Sequence, residues 1–234
     1  MNILQVKLAI AKWGQINNTT LGLDYLTSGT GFEISREEYN KWLQIQKDTQ
    51  KTIDSIHVYL GIWGMQFVFF LVDSVSDENE NYEIGENLFM KSFVPSLDFS
   101  PPSDDIVSIP SVELPEAEAM KRSLRWQLYS KLWFKNSQTQ YASMPTANGI
   151  LKAMTVPFVD LSNIFDNTKS EQLYSFFGIQ EDKDYGNIIE LILCDKPIPV
   201  NGKLATPKFF MDVTKPIPPF SPSGYNLFES VPKA

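Results

Sequence analysis

His57 is the only histidine in a chain of 234 residues, and Cys194 is the only cysteine. An imidazole titrates near neutrality and is the natural acid–base group of a protein. His57 falls in an alternating run in which Ile56, Val58 and Leu60 point one way and Ser55, His57 and Tyr59 the other. Asp54, three residues earlier, then lies on the opposite face and cannot orient the ring. An orienting carboxylate has to come from a distant segment, so His57 stands as an acid–base candidate without a local partner, and no catalytic set is assigned.

The two single counts exclude much metal and nucleophile chemistry. One chain cannot build a zinc site from cysteines alone, from two cysteines and two histidines, or from three histidines. A serine triad could use only His57, and a cysteine–histidine dyad could pair only Cys194 with His57. Cys194 closes the apolar run 188–193 and has Lys196 as its one nearby cation, which reads as a buried, inert thiol.

The acidic run 77–83 offers oxygens at Asp77, Asn79, Asn81 and Glu83. A calcium loop of the EF-hand type needs glycine at its sixth position and glutamate at its twelfth. Those positions hold Tyr82 and Leu88, so the run reads as a solvated acidic turn. Adjacent acids at Glu37/Glu38, Asp104/Asp105 and Glu181/Asp182/Asp184 fall at helix starts or in loops. There is no Gly-rich phosphate loop and no dinucleotide fingerprint. The expectation is a protein with no metal and no cofactor.

One cluster joins cations to aromatics. A helix over 115–135 carries Arg122 and Arg125 beside Trp126, with Tyr129 and Trp133 on an adjoining stripe. Arginine beside tryptophan is the composition of interface hot spots and of anion platforms. Arg122, Arg125 and Trp126 are therefore the candidate recognition surface, for an unknown protein or a small anionic ligand. The competing reading makes the tryptophans part of a broad core face. In either case Leu124, Leu128 and Leu132 are expected to form the core stripe of that helix.

The elements that must position these groups follow from patterning. Ser35 and Glu38 form a capping box that starts a helix over 35–50, with Tyr39, Trp42, Leu43 and Ile45 on its apolar face. Residues 53–60 and 65–73 predict a β-hairpin turning at 61–64, its second strand buried on both faces. A membrane helix over 58–72 is too short, at about 15 residues against the roughly 20 needed to span a bilayer. The N-terminus reads as an amphipathic helix with Leu4, Leu8 and Ala11 on one face and its end at Gly14, rather than as a secretory signal. Short helices are expected at 161–165 and 170–177, and strands at 106–109, 187–194 and 208–214.

Pro95, Pro101, Pro102, Pro110 and Pro115 make 95–115 a long irregular connection. Residues 197–234 hold eight of the fifteen prolines and read as an extended strap anchored by Phe220, Tyr225, Leu227 and Phe228. Neither half around 95–115 looks able to close its own sheet, so 1–234 is read as a single domain. The order of elements predicts an α+β fold: an antiparallel or mixed sheet of about four or five strands, helices mainly on one face, and a Pro-rich C-terminal strap.

Hydrophobic residues make up 43% and charged residues 21% of the chain, which fits a globular protein. A net charge of −8 argues against nucleic-acid binding and against docking on anionic lipid. The single cysteine and the lack of a signal or membrane segment suggest the cytoplasm. The expected function is a non-enzymatic binding or protein-interaction domain. The alternatives are an acidic, immunity-type partner of a basic protein, or a metal-independent enzyme using scattered carboxylates or His57.

Overall fold

A computed structural model describes residues 1–94, 114–141, 150–182, 186–195, 210–212, 215–217 and 224–228. The first half contains α1 (Ile3–Ile16), α2 (Thr20–Leu26), β1 (Gly31–Ser35), α3 (Arg36–Thr49), β2 (Ser55–Trp63), β3 (Gln66–Asp73), α4 (Ser74–Glu78) and β4 (Leu88–Ser92). The second contains α5 (Glu116–Tyr141), β5 (Ala153–Pro157), α6 (Phe158–Asn167), β6 (Gln172–Asp182), β7 (Gly186–Asp195), β8 (Phe210–Asp212), β9 (Lys215–Ile217) and a 3₁₀ turn at Asn226–Phe228.

The strands form two antiparallel sheets, ordered β4-β3-β2-β5-β9 and β1-β6-β7-β8. The α+β class read from the sequence stands. The strand content is larger than expected, because the described residues hold a four-stranded and a five-stranded sheet.

The hairpin organises the larger sheet. β2 and β3 pair from Ile56↔Asp73 to Trp63↔Gln66. Gly64 and Met65 make the turn with φ of 54° and 65°, the left-handed pair that a two-residue hairpin loop requires. Gly61 lies inside β2 rather than in the turn. A Cβ there would come within 2.7 Å of the Phe70 ring, so the glycine admits that ring.

Alternation along both strands then supplies two cores. Ile56, Val58, Leu60, Phe67, Phe69 and Leu71 face the other sheet, where Phe32, Ile34, Leu173, Phe177, Leu191 and Leu193 meet them. Tyr59, Val68, Phe70 and Val72 face outward and are covered by Val6, Ala9 and Ile10 of α1, together with Tyr225 and Leu227. All six apolar residues from Phe67 to Val72 are buried, as the unbroken run implies.

The helices are tied in by polar contacts as well as by burial. Ser35 and Glu38 form the expected capping box of α3. Glu38 also receives Lys91 of β4 at 2.7 and 2.8 Å. Arg36 donates to the carbonyls of Phe165, Thr168 and Ser170 and lies 5.0 Å over the Phe165 ring, which holds the C-terminal end of α6.

Several expectations are corrected. Residues 170–177 are not helical: from Gln172 onward they form β6, with Leu173 and Phe177 facing one core and Phe176 the other. A spacing of three and four residues between apolar positions suited a helix, but pairing with β1 on one side and β7 on the other makes the segment an interior strand. The first helix runs through Gly14 to Ile16, and it buries Val6, Ala9, Ile10 and Trp13 while Leu4 and Leu8 are exposed. In α5, Leu124, Leu128 and Leu132 are exposed, and the core side is Ala119, Trp126, Trp133 and Phe134. Serines 123, 130 and 137 fill the buried positions between them.

The expected strand at 106–109 and most of the 95–115 connection lie outside the described residues, as does most of the Pro-rich tail. Lys215–Ile217 is described as an edge strand on β5, the position in a sheet where Pro216 is tolerated.

Candidate functional site

His57 has a carboxylate partner after all, and it comes from the acidic run read as a solvated turn. Asp73 ends β3, and its Oδ1 accepts from the Ser76 amide to start α4. That short helix carries Asp77 inward over the outer face of the larger sheet. Asp77 is 0% exposed, which corrects the solvated reading of this residue. His57 Nδ1 lies 2.6 Å from Asp77 Oδ2, the Tyr59 hydroxyl donates to the same oxygen at 2.5 Å, and the Tyr82 hydroxyl donates to Oδ1 at 2.7 Å. A carboxylate out of water needs such donors to replace its hydration.

The C-terminal segment closes this centre. Tyr225 stacks on the imidazole with centroids 4.0 Å apart, and its hydroxyl is hydrogen-bonded to that of Thr155 on β5. The Leu227 amide donates to the Tyr59 oxygen at 3.3 Å, and Asn226 donates to the Asp77 carbonyl at 2.9 Å. Burial first, and then the hydrogen bond to Asp77 together with its charge, push the Tyr59 and Tyr82 hydroxyls far above the ordinary phenol range. Both therefore act as donors at neutral pH.

With Nδ1 donating to Asp77, a neutral imidazole presents Nε2 as its acceptor. This is the arrangement of a general base. Among the described residues, however, no side chain hydrogen-bonds Nε2, and the ring is 6% exposed under Tyr225. The centre as built joins β2, α4, β5 and the C-terminal segment. Among the described residues, no group of three or more His, Cys, Asp or Glu side chains could hold a metal ion.

Burial also explains two other titratable groups. Burial pushes Asp73 above the usual carboxylate range, and its Oδ2 has no partner among the described residues. Cys194 is wholly buried and its thiol is raised, as expected of an inert cysteine.

The arginine–tryptophan cluster lies against the sheet. Trp126 is 4% exposed and packs on Phe177 and Trp133 at 5.2 and 5.7 Å. Arg122 contacts Glu118 at 3.1 Å and Glu190 at 3.0 Å, and Glu190 is almost fully buried. Arg125 pairs with the exposed Glu181 at 3.2 Å. These side chains share a face, but it is the face committed to packing and ion pairing. Arg122→Ala is expected to cost about 2–4 kcal/mol in urea unfolding, because Glu190 loses its contacts with a guanidinium inside the protein. Arg125→Ala is expected to cost under about 1 kcal/mol, because its partner is solvated. Equal losses would contradict this division.

A polar cleft of about 500 Å³ lies between α3 and the segment after α4, lined by Lys41, Gln44, Asp48, Asn79, Glu83 and Asn87. The buried Asn87 uses its side chain internally, bonding Ser76, the Asn81 carbonyl and the Glu83 amide. Exposed apolar side chains form the remaining feature. On α5, Leu124, Leu128, Tyr129 and Leu132 are 52%, 64%, 53% and 56% exposed. The leucines stand four residues apart and so form one ridge along the helix. The sequence contains this row, but its regular spacing favoured the core assignment.

No protein-family model, curated protein or solved structure matches the chain. No helix among the described residues is long and apolar enough to cross a membrane.

Proposed function

We propose that this protein is a non-enzymatic protein-interaction domain that docks a partner through the outward face of α5. The observation that carries the reading is the leucine ridge Leu124, Leu128 and Leu132, which stands more than half exposed beside Tyr129. Single exposed leucines are ordinary on protein surfaces, but a contiguous apolar row on one element marks a contact site. The closure of His57 under Tyr225 supports the same reading over an enzyme built on His57.

The test is a Leu124→Asp/Leu128→Asp double variant expressed from the native locus. Both positions are exposed, so stability is expected to change by less than about 1 kcal/mol. In size-exclusion chromatography of the native extract, the unaltered chain is expected to elute as a complex and the variant as the free protein. A variant that keeps the complex, or an unaltered chain that elutes alone at its native concentration, overturns the reading.

A further inference from the structure

We infer that the occupant of the α5 face is an amphipathic helix of a partner protein with acidic side chains beside its apolar row. The inference rests on the docking face proposed above and adds the chemistry of what fills it.

Charge is the first argument. After Glu116 and Glu118 in its first turn, α5 carries no acidic residue through Tyr141, in a chain of net charge −8. Lys121, Lys131 and Lys135 stand on its exposed side around the leucines. Lys121 reaches back to Glu118 at 3.3 Å, whereas Lys131 and Lys135 make no ion pair among the described residues. Arg122 and Arg125 are turned toward Glu190 and Glu181, away from this face. The ridge is thus apolar with a basic border, and it complements an apolar row with an acidic border.

Shape is the second argument. Residues four apart form the ridge that packs into the matching groove of a second helix, at a crossing angle near −50°. From Leu124 to Leu132 the ridge is about 12 Å long at the helical rise, enough for roughly two turns of a partner. A ridge of this length suits a short partner helix better than the extended interface of a stable dimer, which buries roughly 800 Å² per partner. A two-fold pairing of two copies centred on Leu128 would also set Lys121 of one against Lys135 of the other. Anionic lipid is opposed by the net charge of the whole chain.

The probe is a fluorescein-labelled synthetic peptide of about 18 residues, long enough to be helical, with leucines every fourth position and flanking glutamates. A twin carries lysines in place of the glutamates. Anisotropy titrations use the full-length chain. The glutamate peptide is expected to bind in the micromolar range, at least about tenfold tighter than the twin, and to weaken severalfold between about 0.05 and 0.3 M salt. Lys131→Glu/Lys135→Glu should reverse the preference between the peptides, and Leu128→Asp should abolish binding of both.

Equal binding of both peptides, lost in Leu128→Asp, would overturn the acidic partner while leaving the docking face intact. Binding that survives Leu128→Asp, or no binding of the glutamate peptide, overturns the inference outright. So do co-sedimentation with phosphatidylserine vesicles in preference to the peptide, and a concentration-dependent dimer abolished by Leu128→Asp.

Discussion

Asp77→Ala is expected to lower the stability of the protein by about 3–5 kcal/mol, which in a domain of this size means a fall in Tm of roughly 10 °C or more. The carboxylate accepts from His57, Tyr59 and Tyr82 and is fully buried. Its removal strands two phenolic donors and a ring N–H in the interior, and each carries its own desolvation penalty. The loss should also have a local signature. Hydrogen exchange at the Leu227 amide should quicken by more than the global loss of stability explains, because that amide is held by the Tyr59 oxygen that Asp77 positions. A thermal melt within about 2 °C of the parent would show that the three donors find other acceptors, and the centre would lose its structural role.

Phe70→Asp is expected to abolish folding. Phe70 lies on the interior strand β3, between β2 and β4, and is fully buried beneath α1. A carboxylate there would sit among the apolar side chains of this cluster, and its ionised form costs more than the whole margin of a typical domain. Val68→Asp on the same face should behave alike. Circular dichroism and solubility on expression are sufficient measurements. A soluble variant with an unchanged melting temperature would mean that the outer face of the larger sheet is open to water.

The hairpin was legible because an apolar run as dense as 67–72 admits one environment only, burial on both sides. The start of α3 was legible because a capping box is local chemistry, complete within Ser35–Glu38. α5 misled because it is apolar on two sides. Its leucines recur every fourth residue, whereas its buried face mixes Trp126 and Trp133 with serines that no hydrophobic pattern registers. The spacing brings Arg122, Arg125 and Trp126 near one another on a helix, but whether they meet water depends on β6 and β7, far away in the chain. The partner of His57 was hidden for a similar reason. Asp77 sits in a run of acids and asparagines that looks solvated, and only the turn of α4 carries it over the sheet.

The distance along the chain between His57 and the residues that close over it governs how the protein can be made. The hairpin emerges early in synthesis and can pair at once, but β5 follows only at Ala153–Pro157, and β9 and Tyr225–Phe228 come later still. At ordinary translation speeds they follow by roughly 5–30 s. Until β5 emerges β2 offers an unpaired edge, and until the C-terminal segment emerges Asp77 lacks the turn that covers it. Until β5 arrives that edge is a site for wrong pairing, and a chain cut short after β5 has the start of the larger sheet but lacks β9 and the turn over Asp77.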